Sequence, residues 1–290
     1  MSNRVPEKSE TFSGESRVKC SVCPHSCVIE EGHVGFCGAR RSAGGKVTAD
    51  NYGLVTSMAL DPIEKKPLYH FHPGSYILSV GSYGCNLRCP FCQNYEISMA
   101  DKARAGTEYI SPEQLVEYAL KLKPRGNIGI AFTYNEPLIG YEYVRDCAET
   151  AKQHGLKIVL VSNGYVNEQP LKDLLPLIDA MNIDLKAFTE EFYRKLGGHI
   201  EPVKQAIAIA SKQCHVEVTT LIVPGENDTP EEMRALSAWL AGVDENIPLH
   251  ISRFFPRYKM ADVDATPVDT VYLLADIARE NLKYVHEGNC

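Results

Sequence analysis

Several features that would place the chain in a special class of protein are missing from its sequence. No run of apolar residues approaches the ~18 that a helix needs to cross a bilayer, so we expect no membrane-spanning segment. The first nineteen residues are polar and charged and lack the apolar segment of a secretory signal, which predicts a cytoplasmic protein. There are 30 Lys and Arg against 37 Asp and Glu, and this net charge of −7 argues against a nucleic-acid partner bound through its phosphates.

What the sequence does contain is an uneven distribution of ten cysteines. Ten are too few for a disulfide scaffold in a chain of 290 residues, and clustered thiols in a reducing compartment indicate metal ligation or catalysis. We expect the isolated Cys147 and Cys214 to be small buried apolar side chains and Cys290 to be exposed. The remaining cysteines form a group of four and a group of three: Cys20, Cys23, Cys27 and Cys37, then Cys85, Cys89 and Cys92.

From about residue 75 onward, short apolar runs alternate with segments that have helical start signals. One such signal is Ser111-Pro112-Glu113-Gln114, which predicts a capping box at the start of a helix. Alternating strands and helices predict an α/β fold with a parallel sheet, here a partial (βα)6 TIM-like barrel with its active site at the carboxyl ends of the strands. The predicted strands are residues 76–80, 128–132, 157–161, 181–185, 216–223, 250–255 and 282–285.

The residues before the barrel do not follow this alternation. We expect a flexible polar tail over residues 1–19, a Cys-rich appendage over 20–74 and the barrel over 75–290. The appendage is too short for a hydrophobic core of its own unless a metal stabilises it.

The group of three cysteines has the spacing CxxxCxxC and follows the first predicted barrel strand. Thiolates at this spacing on one loop can converge on a single iron–sulfur cluster, which normally takes four cysteine ligands. With Cys85, Cys89 and Cys92 as the local ligands, one iron stays open to another molecule. The alternative is a structural zinc site with three cysteine ligands, although this is an uncommon zinc spacing.

This loop resembles that of the radical S-adenosylmethionine (SAM) superfamily. Further motifs, in order, resemble its pyruvate formate-lyase-activating-enzyme-like group, and within it the radical SAM member of the AmmeMemoRadiSam system: DPIEKKPLYHF, GCNLRCPFCQN, TYNEP, SNG, NIDLKAF, IVPGEND and HISRFFP. The resemblance spans residues 20–289. It implies a [4Fe–4S] cluster whose fourth iron binds SAM, an external electron donor of the flavodoxin or ferredoxin type, and a 5′-deoxyadenosyl radical that abstracts hydrogen from a substrate.

The resemblance also implies roles for individual residues. Phe91 would pack near the adenine of SAM, and Asn135 and Glu136 of TYNEP would accept hydrogen bonds from its amino group. Ser162 and Asn163 would contact SAM, although Asn-Gly is also a common turn pair. Asp184 and Lys186 are two residues apart on a predicted strand and therefore share a face. Lys186 would bind the SAM carboxylate, and Asp184 would orient Lys186 or a ribose hydroxyl. The alternatives are a polar turn for TYNEP and a surface ion pair for Asp184 and Lys186.

Other positions depart from the glycyl-radical activators of this group. Val161 replaces an Asp that helps to hold a monovalent cation, and Thr219 and Phe255 stand where an Arg and a His approach SAM. Arg253 and His250 are nearby candidates to replace them. The resemblance therefore supports a radical SAM enzyme acting on an unidentified substrate, with a glycyl-radical-enzyme activator and a non-catalytic metal-binding scaffold as alternatives.

The group of four cysteines, with His25 and His33 as spare ligands, predicts a second metal centre. Structural zinc is the simpler interpretation, because all-thiolate zinc sites tolerate varied spacing. The alternatives are a second [4Fe–4S] cluster and unligated reduced thiols. The segment DPIEKKPLYHFHPG, which contains Lys65, Lys66, His70 and His72, either contributes to substrate binding or packs the appendage against the barrel.

Overall fold

The computed structural model describes residues 17–290, so most of the predicted polar tail lies outside the described residues. The strands are β1 (Arg17–Lys19), β2 (Val28–Glu30), β3 (Arg40–Ala43), β4 (Lys46–Ala49), β5 (Leu54–Val55), β6 (Ser57–Pro62), β7 (Tyr76–Gly81), β8 (Glu108–Tyr109), β9 (Asn127–Phe132), β10 (Lys157–Ser162), β11 (Ala180–Asp184), β12 (His215–Ile222), β13 (Leu249–Arg253) and β14 (Val285–Gly288). The helices are α1 (Tyr95–Ser98), α2 (Pro112–Lys121), α3 (Tyr141–Gln153), α4 (Glu168–Leu174), α5 (Glu190–Lys195), α6 (Ile200–Ala210), α7 (Pro230–Asp244) and α8 (Val268–Arg279).

The main sheet has eight strands in the order β14-β13-β12-β11-β10-β9-β7-β6. Seven of them are parallel, and helices connect them, so the chain forms six βα units followed by a final strand. The end strands β6 and β14 do not pair with each other, and the sheet is therefore an open, partial barrel. This confirms the fold class that the alternation predicts.

The start and stop signals of the helices act as the sequence predicts in most places. The Ser111 hydroxyl accepts a hydrogen bond from the Gln114 amide at 3.3 Å, and the Gln114 side chain accepts one from the Ser111 amide at 2.9 Å, which completes the capping box. Thr229 caps α7 without completing such a box: its hydroxyl accepts a hydrogen bond from the Glu232 amide at 3.3 Å, but the Glu232 side chain accepts from the Phe188 amide instead. Gly155, with φ of +67°, follows the end of α3. Thr266 precedes α8 but does not cap it, because its hydroxyl donates to the Ile222 carbonyl at 2.6 Å.

Strand β6 and the residues after it differ from the predicted division of the chain. β6 lies within the segment assigned to the appendage, but it pairs antiparallel with β7 along its whole length and is therefore part of the main sheet. The chain then passes under the amino-terminal ends of the barrel strands, where the fully buried Ile63 and Leu68 pack against Ile77, Ala131, Val159 and Ala180. We call residues 63–71 the floor segment, because they close the lumen of the barrel at that end.

The Cys-rich appendage contains the antiparallel pairs β1–β2 and β3–β4. Its small core consists of Cys20, Val22 and Ile29, with Tyr141 of α3 packed against it. The buried Arg40 forms a 2.6 Å ion pair with Glu142 on α3, which attaches the appendage to the barrel. Among residues 17–290, no helix combines the length and apolar character needed to span a membrane.

Candidate active site at the carboxyl ends of the strands

A cavity of about 270 Å³ opens where the parallel strands end. It lies between the loop that carries the group of three cysteines and the loops after β9, β10 and β11. Its lining includes Cys85, Cys89, Cys92, Phe91, Asn135, Glu136, Asn163, Asp184 and Lys186. The structure therefore brings the three cysteines and the residues predicted to contact SAM into one cavity, with the exception of Ser162.

The loop with the three cysteines is held by backbone hydrogen bonds on both sides. The Cys85 amide donates to the Cys37 carbonyl at 3.2 Å, and the Arg88 amide donates to the Leu196 carbonyl at 2.7 Å. Burial raises the pKa of the Cys85 thiol well above its usual value and that of Cys89 to about 11, although the Lys186 ammonium opposes the rise at Cys89. Such thiols need nearby positive charge, from a metal or from Lys186, before they ionise.

Within residues 17–290 the thiols line common cavities, but no three or more His, Cys, Asp or Glu side chains already stand in an arrangement that holds a metal ion. This is true of both cysteine groups.

Glu136 is the most constrained charged residue of the cavity. Its carboxylate accepts hydrogen bonds from the Ser162 hydroxyl at 2.8 Å, from the Asn163 amide at 2.8 Å and from the Leu138 amide at 3.0 Å. Burial nevertheless raises the pKa of Glu136 to about 7, because these hydrogen bonds only partly compensate for the loss of water. Glu136 is therefore ready to bind a cationic group, which would stabilise its charged form.

Two residues predicted to contact SAM have mainly structural contacts. The Asn135 side chain accepts from the Ser82 amide at 2.9 Å and donates to the Tyr83 and Gly84 carbonyls, so its polar atoms already hold the loop after β7. Ser162 is buried behind Glu136 and does not line the cavity. Both residues therefore position the loop and the carboxylate.

Asn163 differs from them, because it faces the cysteine loop directly. Its side-chain amide lies 3.6 Å from the Cys85 sulfur and donates to the Asn86 side chain at 2.9 Å. A hydrogen bond to a sulfur stabilises its thiolate form. Asn163 therefore links the SNG motif to the cysteine loop.

Asp184 is the last residue of β11, and Lys186 lies two residues further, in the loop after the strand. Lys186 Nζ lies 2.8 Å from Asp184 Oδ2, and both half-buried side chains line the cavity. Burial alone would lower the pKa of Lys186, but the charges of Asp184 and Cys89 raise it above its usual value. Lys186 is therefore a permanent cation next to the cysteine loop. Phe91 lies on the same side, buried, with its ring 6.1 Å from that of Phe192.

The candidates to replace the missing Arg and His are not at the cavity. His250 faces the lumen at the amino-terminal end of β13, where its Nε2 lies 2.6 Å from Glu217, so the expectation that it substitutes near SAM is wrong. Arg253 donates to the Thr266 carbonyl at 2.7 Å and lies over the exposed Phe255 ring. Of these positions Thr219 lines the cavity, and its hydroxyl donates to Asn182 at 3.0 Å.

The sequence did not single out several residues that complete the lining: Gln93, Asn94, Ser98, Leu221, Ser252 and Asn289. A usable signal existed for some of them. Ser252 is two residues from the lumen-facing His250 on β13, so the period of a strand would have placed it on the inner face. Asn289 directly follows β14, where carboxyl-end residues of a barrel gather.

The segment DPIEKKPLYHFHPG lies at the opposite end of the barrel. The amides of Tyr69 and His70 donate to the Glu217 carboxylate at 3.0 and 2.7 Å, and the buried Lys66 pairs with Asp61 at 2.8 Å. Lys65 and His72 are both exposed to solvent, and neither lines the cavity. Packing against the barrel is therefore what the geometry shows for this segment.

The group of four cysteines lines a second, much smaller cavity of about 10 Å³, together with His25. Cys20, Cys23 and Cys37 are buried and Cys27 is half-buried. The Phe36 amide points at the Cys27 sulfur at 3.5 Å. His25 Nε2 lies 2.8 Å from the Asn86 carbonyl, and His33 does not line this cavity.

Comparisons with known proteins agree with this geometry. An uncharacterized protein of Methanocaldococcus jannaschii is 40% identical over 279 residues, which cover 95% of this chain and 82% of that protein. The pyruvate formate-lyase 1-activating enzyme of Escherichia coli is 26% identical over 157 residues, or 53% of this chain and 63% of that enzyme.

Among solved structures, Streptococcus suis SuiB has a similar fold, with a TM-score of 0.56 at 10% identity. The match covers 72% of this chain and 48% of SuiB, so the chain spans about half the length of that protein. The family model of the radical SAM superfamily matches residues 79–240. These residues contain five of the seven motifs: GCNLRCPFCQN, TYNEP, SNG, NIDLKAF and IVPGEND. The chain therefore belongs to the radical SAM superfamily.

Proposed function

We propose that the chain binds a [4Fe–4S] cluster through Cys85, Cys89 and Cys92 and uses it to cleave SAM. The observation that carries the proposal is the single cavity in which these thiols face Glu136 and the Asp184–Lys186 pair. When bound, the cluster supplies the electron that cleaves SAM to methionine and a 5′-deoxyadenosyl radical, which abstracts hydrogen from a substrate still to be identified.

The residues present fit these two groups. Three thiols on one loop, all lining the cavity, would supply three of the four ligands that a cubic cluster takes and would leave one iron without a cysteine from this loop. The volume of about 270 Å³ is close to the lower end of the range for small-molecule sites, roughly 300 Å³. The lining carries both a carboxylate and an ammonium group, as an amino-acid moiety requires for its two charged ends.

Glu136 supplies the acceptor for an amino group. The Ser162 hydroxyl and the Asn163 amide fix the orientation of its carboxylate, so little freedom is lost when a ligand binds. Because the pKa of Glu136 is raised to about 7, binding a cation would pull it down and release protons near neutral pH.

Lys186 supplies the counterpart for a carboxylate. It already pairs with Asp184, and a ligand carboxylate would accept a second hydrogen bond from the same ammonium group. Asp184 keeps Lys186 charged and oriented toward the cavity, and it retains an oxygen for a ribose hydroxyl. Phe91 provides an apolar wall on which an adenine ring could pack.

Anaerobic reconstitution with iron and sulfide tests this proposal. We expect a brown protein with four irons and four sulfides at this site, which forms 5′-deoxyadenosine when SAM and a reductant such as dithionite are added. A colourless protein that instead takes up zinc through these three cysteines would overturn the proposal. Deuterated candidate substrates then identify the hydrogen donor, because the label appears in the 5′-deoxyadenosine.

For the group of four cysteines we propose one structural zinc ion. The cavity between these thiols has about 10 Å³, room for a single small particle, whereas the cavity at the three cysteines has about 270 Å³. Four thiolates around one ion form a closed tetrahedral site, which stabilises a segment that has little core of its own. Metal analysis of the Cys20→Ser/Cys23→Ser double variant should show one zinc ion fewer than the wild-type protein and the same amount of iron. A loss of four irons in place of the zinc would indicate a second [4Fe–4S] cluster.

The activation of a glycyl radical enzyme is the second candidate, favoured by the similarity to a pyruvate formate-lyase 1-activating enzyme. Its test is an electron paramagnetic resonance signal of a glycyl radical on a partner protein.

For either function, the electron that reduces the cluster would come from an external donor of the flavodoxin or ferredoxin type. We place the protein in the cytoplasm, where both thiol groups stay reduced.

A further inference from the structure

Tyr134 joins the candidate cavity to a buried ion pair that the proposed reaction does not use. It is the second residue of TYNEP, directly after β9, and part of its side chain lines the cavity. Its hydroxyl donates to Asp61 Oδ2 at 2.8 Å, and the same oxygen accepts from Lys66 Nζ at 2.8 Å. The Lys66 ammonium also lies 5.4 Å from the centre of the Tyr134 ring. The ring therefore extends from the cavity into the lumen below it.

The backbone at Tyr134 is in a conformation that favours glycine, with φ of +72°. A bulky residue in this region is uncommon, and such strain concentrates at functional sites. The side chain is accommodated because β7 ends in Gly81, where an added Cβ would come within 2.8 Å of Tyr134 Cδ2. Two positions are thus arranged to place one aromatic ring in the lumen.

The surrounding contacts hold this ring in place from several directions. The Tyr134 carbonyl accepts a hydrogen bond from Asn94, which follows the cysteine loop, at 2.8 Å. Asp61 lies on β6 and Lys66 lies in the floor segment, so elements from both ends of the barrel fix the residue. Burial raises the pKa of Tyr134 to about 12, with Asp61 adding to the rise, so the hydroxyl keeps its proton for Asp61.

We propose that Tyr134, anchored by Asp61 and Lys66, forms the bottom of the substrate chamber and limits how deeply a substrate enters the barrel. Below Tyr134 the lumen holds the paired charges of Asp61 and Lys66 and the buried Ile63 and Leu68 of the floor segment. A substrate would therefore react at the strand ends, beside the cysteine loop. The inference rests on the proposed function for the identity of the site, but the ring and its anchors can be tested without a cluster.

The test is to remove the Tyr134 side chain by substitution and to fill the space it leaves with p-cresol, which has the same phenol ring. Tyr134→Gly should fold, because φ of +72° suits glycine, and should open a space that ends at Asp61. We expect this variant to bind p-cresol, measured by calorimetry, at least tenfold more tightly than toluene, because p-cresol restores the hydrogen bond to Asp61. The wild-type protein should bind neither compound. If the glycine variant aggregates, Tyr134→Ala is assayed in the same way.

Two further measurements decide the role of the ring. In the Tyr134→Gly/Asp61→Asn double variant the preference for p-cresol over toluene should fall below threefold. In the reconstituted glycine variant, saturating p-cresol should leave the Kd for SAM within threefold of its value without p-cresol. Failure of the variant to bind p-cresol, or a Kd for SAM that rises threefold or more with p-cresol, contradicts the proposal. A protein that binds p-cresol as expected but cleaves no SAM contradicts the proposed function alone.

Discussion

The two ends of the barrel each carry an Asp–Lys ion pair of the same length, and the two pairs differ in what surrounds them. Asp184–Lys186 and Asp61–Lys66 both have an N···O distance of 2.8 Å. The first pair faces the cavity at the carboxyl ends of the strands. The second is enclosed by the floor segment and the Tyr134 ring, and its lysine is only 3% exposed. Pair geometry alone therefore does not distinguish a binding group from a structural one.

Histidines and glutamates show the same contrast. At the floor, Glu217 accepts hydrogen bonds from two histidines and two backbone amides, so the carboxylate is satisfied by the protein itself. At the cavity, Glu136 accepts three hydrogen bonds, one fewer than Glu217, and burial raises its pKa to about 7. The floor carboxylate is stabilised in its charged form, whereas the cavity carboxylate gains from a cationic ligand. This difference agrees with the rule that barrel chemistry gathers at the carboxyl ends of the strands.

The largest expected effect separates the cysteine loop from an isolated cysteine. Cys89→Ser should lower the rate of 5′-deoxyadenosine formation by at least ~10³-fold, because a cluster that lacks one of its thiolate ligands would no longer be held beside SAM. Cys147→Ser is the control, since Cys147 is fully buried in α3 away from the cavity. The control should keep the rate within a few-fold of wild type. Equal activity of both variants would break the distinction between the two kinds of cysteine.

Much of this arrangement could be predicted from the sequence. Six of the seven parallel strands lie where their apolar runs predict them, whereas the last, predicted over residues 282–285, is observed at Val285–Gly288. Asp184 lies at the end of its strand as predicted, but Lys186 lies beyond the end of the strand and pairs with Asp184 there. Residues that directly follow such strands must meet at one edge of the sheet. For that reason the cysteine loop, Glu136 and Asn163 were brought together as predicted.

What could not be predicted depends on contacts between distant segments. β6 is a short edge strand with only partial burial, so its pattern does not differ from a loop. The Lys and His side chains of the floor segment would suit a binding site, but the segment contacts Glu217 through the backbone amides of Tyr69 and His70, which no residue type reveals. The Asn135 amide is equally suited to a ligand and to the backbone carbonyls that it contacts. In each case the residue type permits both roles, and the partner decides between them.

The next largest effect should be on stability, at the floor pair. Lys66→Met leaves Asp61 largely buried without its cation, and we expect a loss of about 3–5 kcal/mol in the free energy of unfolding. The neighbouring Lys65 lies 3.6 Å from the same carboxylate but is 68% exposed, so Lys65→Met should cost less than about 1 kcal/mol. Urea denaturation measures both. A Lys66→Met variant as stable as Lys65→Met would show that the pair is not needed.

A somewhat smaller effect depends on pH and concerns Glu217. Burial alone would raise its pKa, but hydrogen bonds from His215, His250 and two backbone amides lower it to about 2, against 4.5 for an ordinary glutamate. A lowered pKa stabilises the fold above pH 4.5, and this contribution, about 3 kcal/mol, is lost as the pH falls toward 2. Glu217→Gln should therefore be less stable than wild type at pH 6, and the difference should shrink between pH 4.5 and 2. Denaturation curves over this pH range test the prediction, and a constant difference would contradict it.

The smallest effect expected is on cofactor affinity, at the cavity pair. Lys186→Met should raise the Kd for SAM roughly 10- to 100-fold, because a hydrogen bond between an ammonium group and a carboxylate contributes about 1.5–3 kcal/mol. The matched control is Lys157→Met, since Lys157 also pairs with an aspartate, Asp179, but lies at the start of β10 and does not line the cavity. The control should leave the Kd unchanged within threefold. Calorimetric titration of SAM into the reconstituted proteins compares them. If both lysine variants lose affinity equally, charge in general and not the position of Lys186 at the cavity would be responsible, and the contrast between the two ends of the barrel would fail for its most direct case.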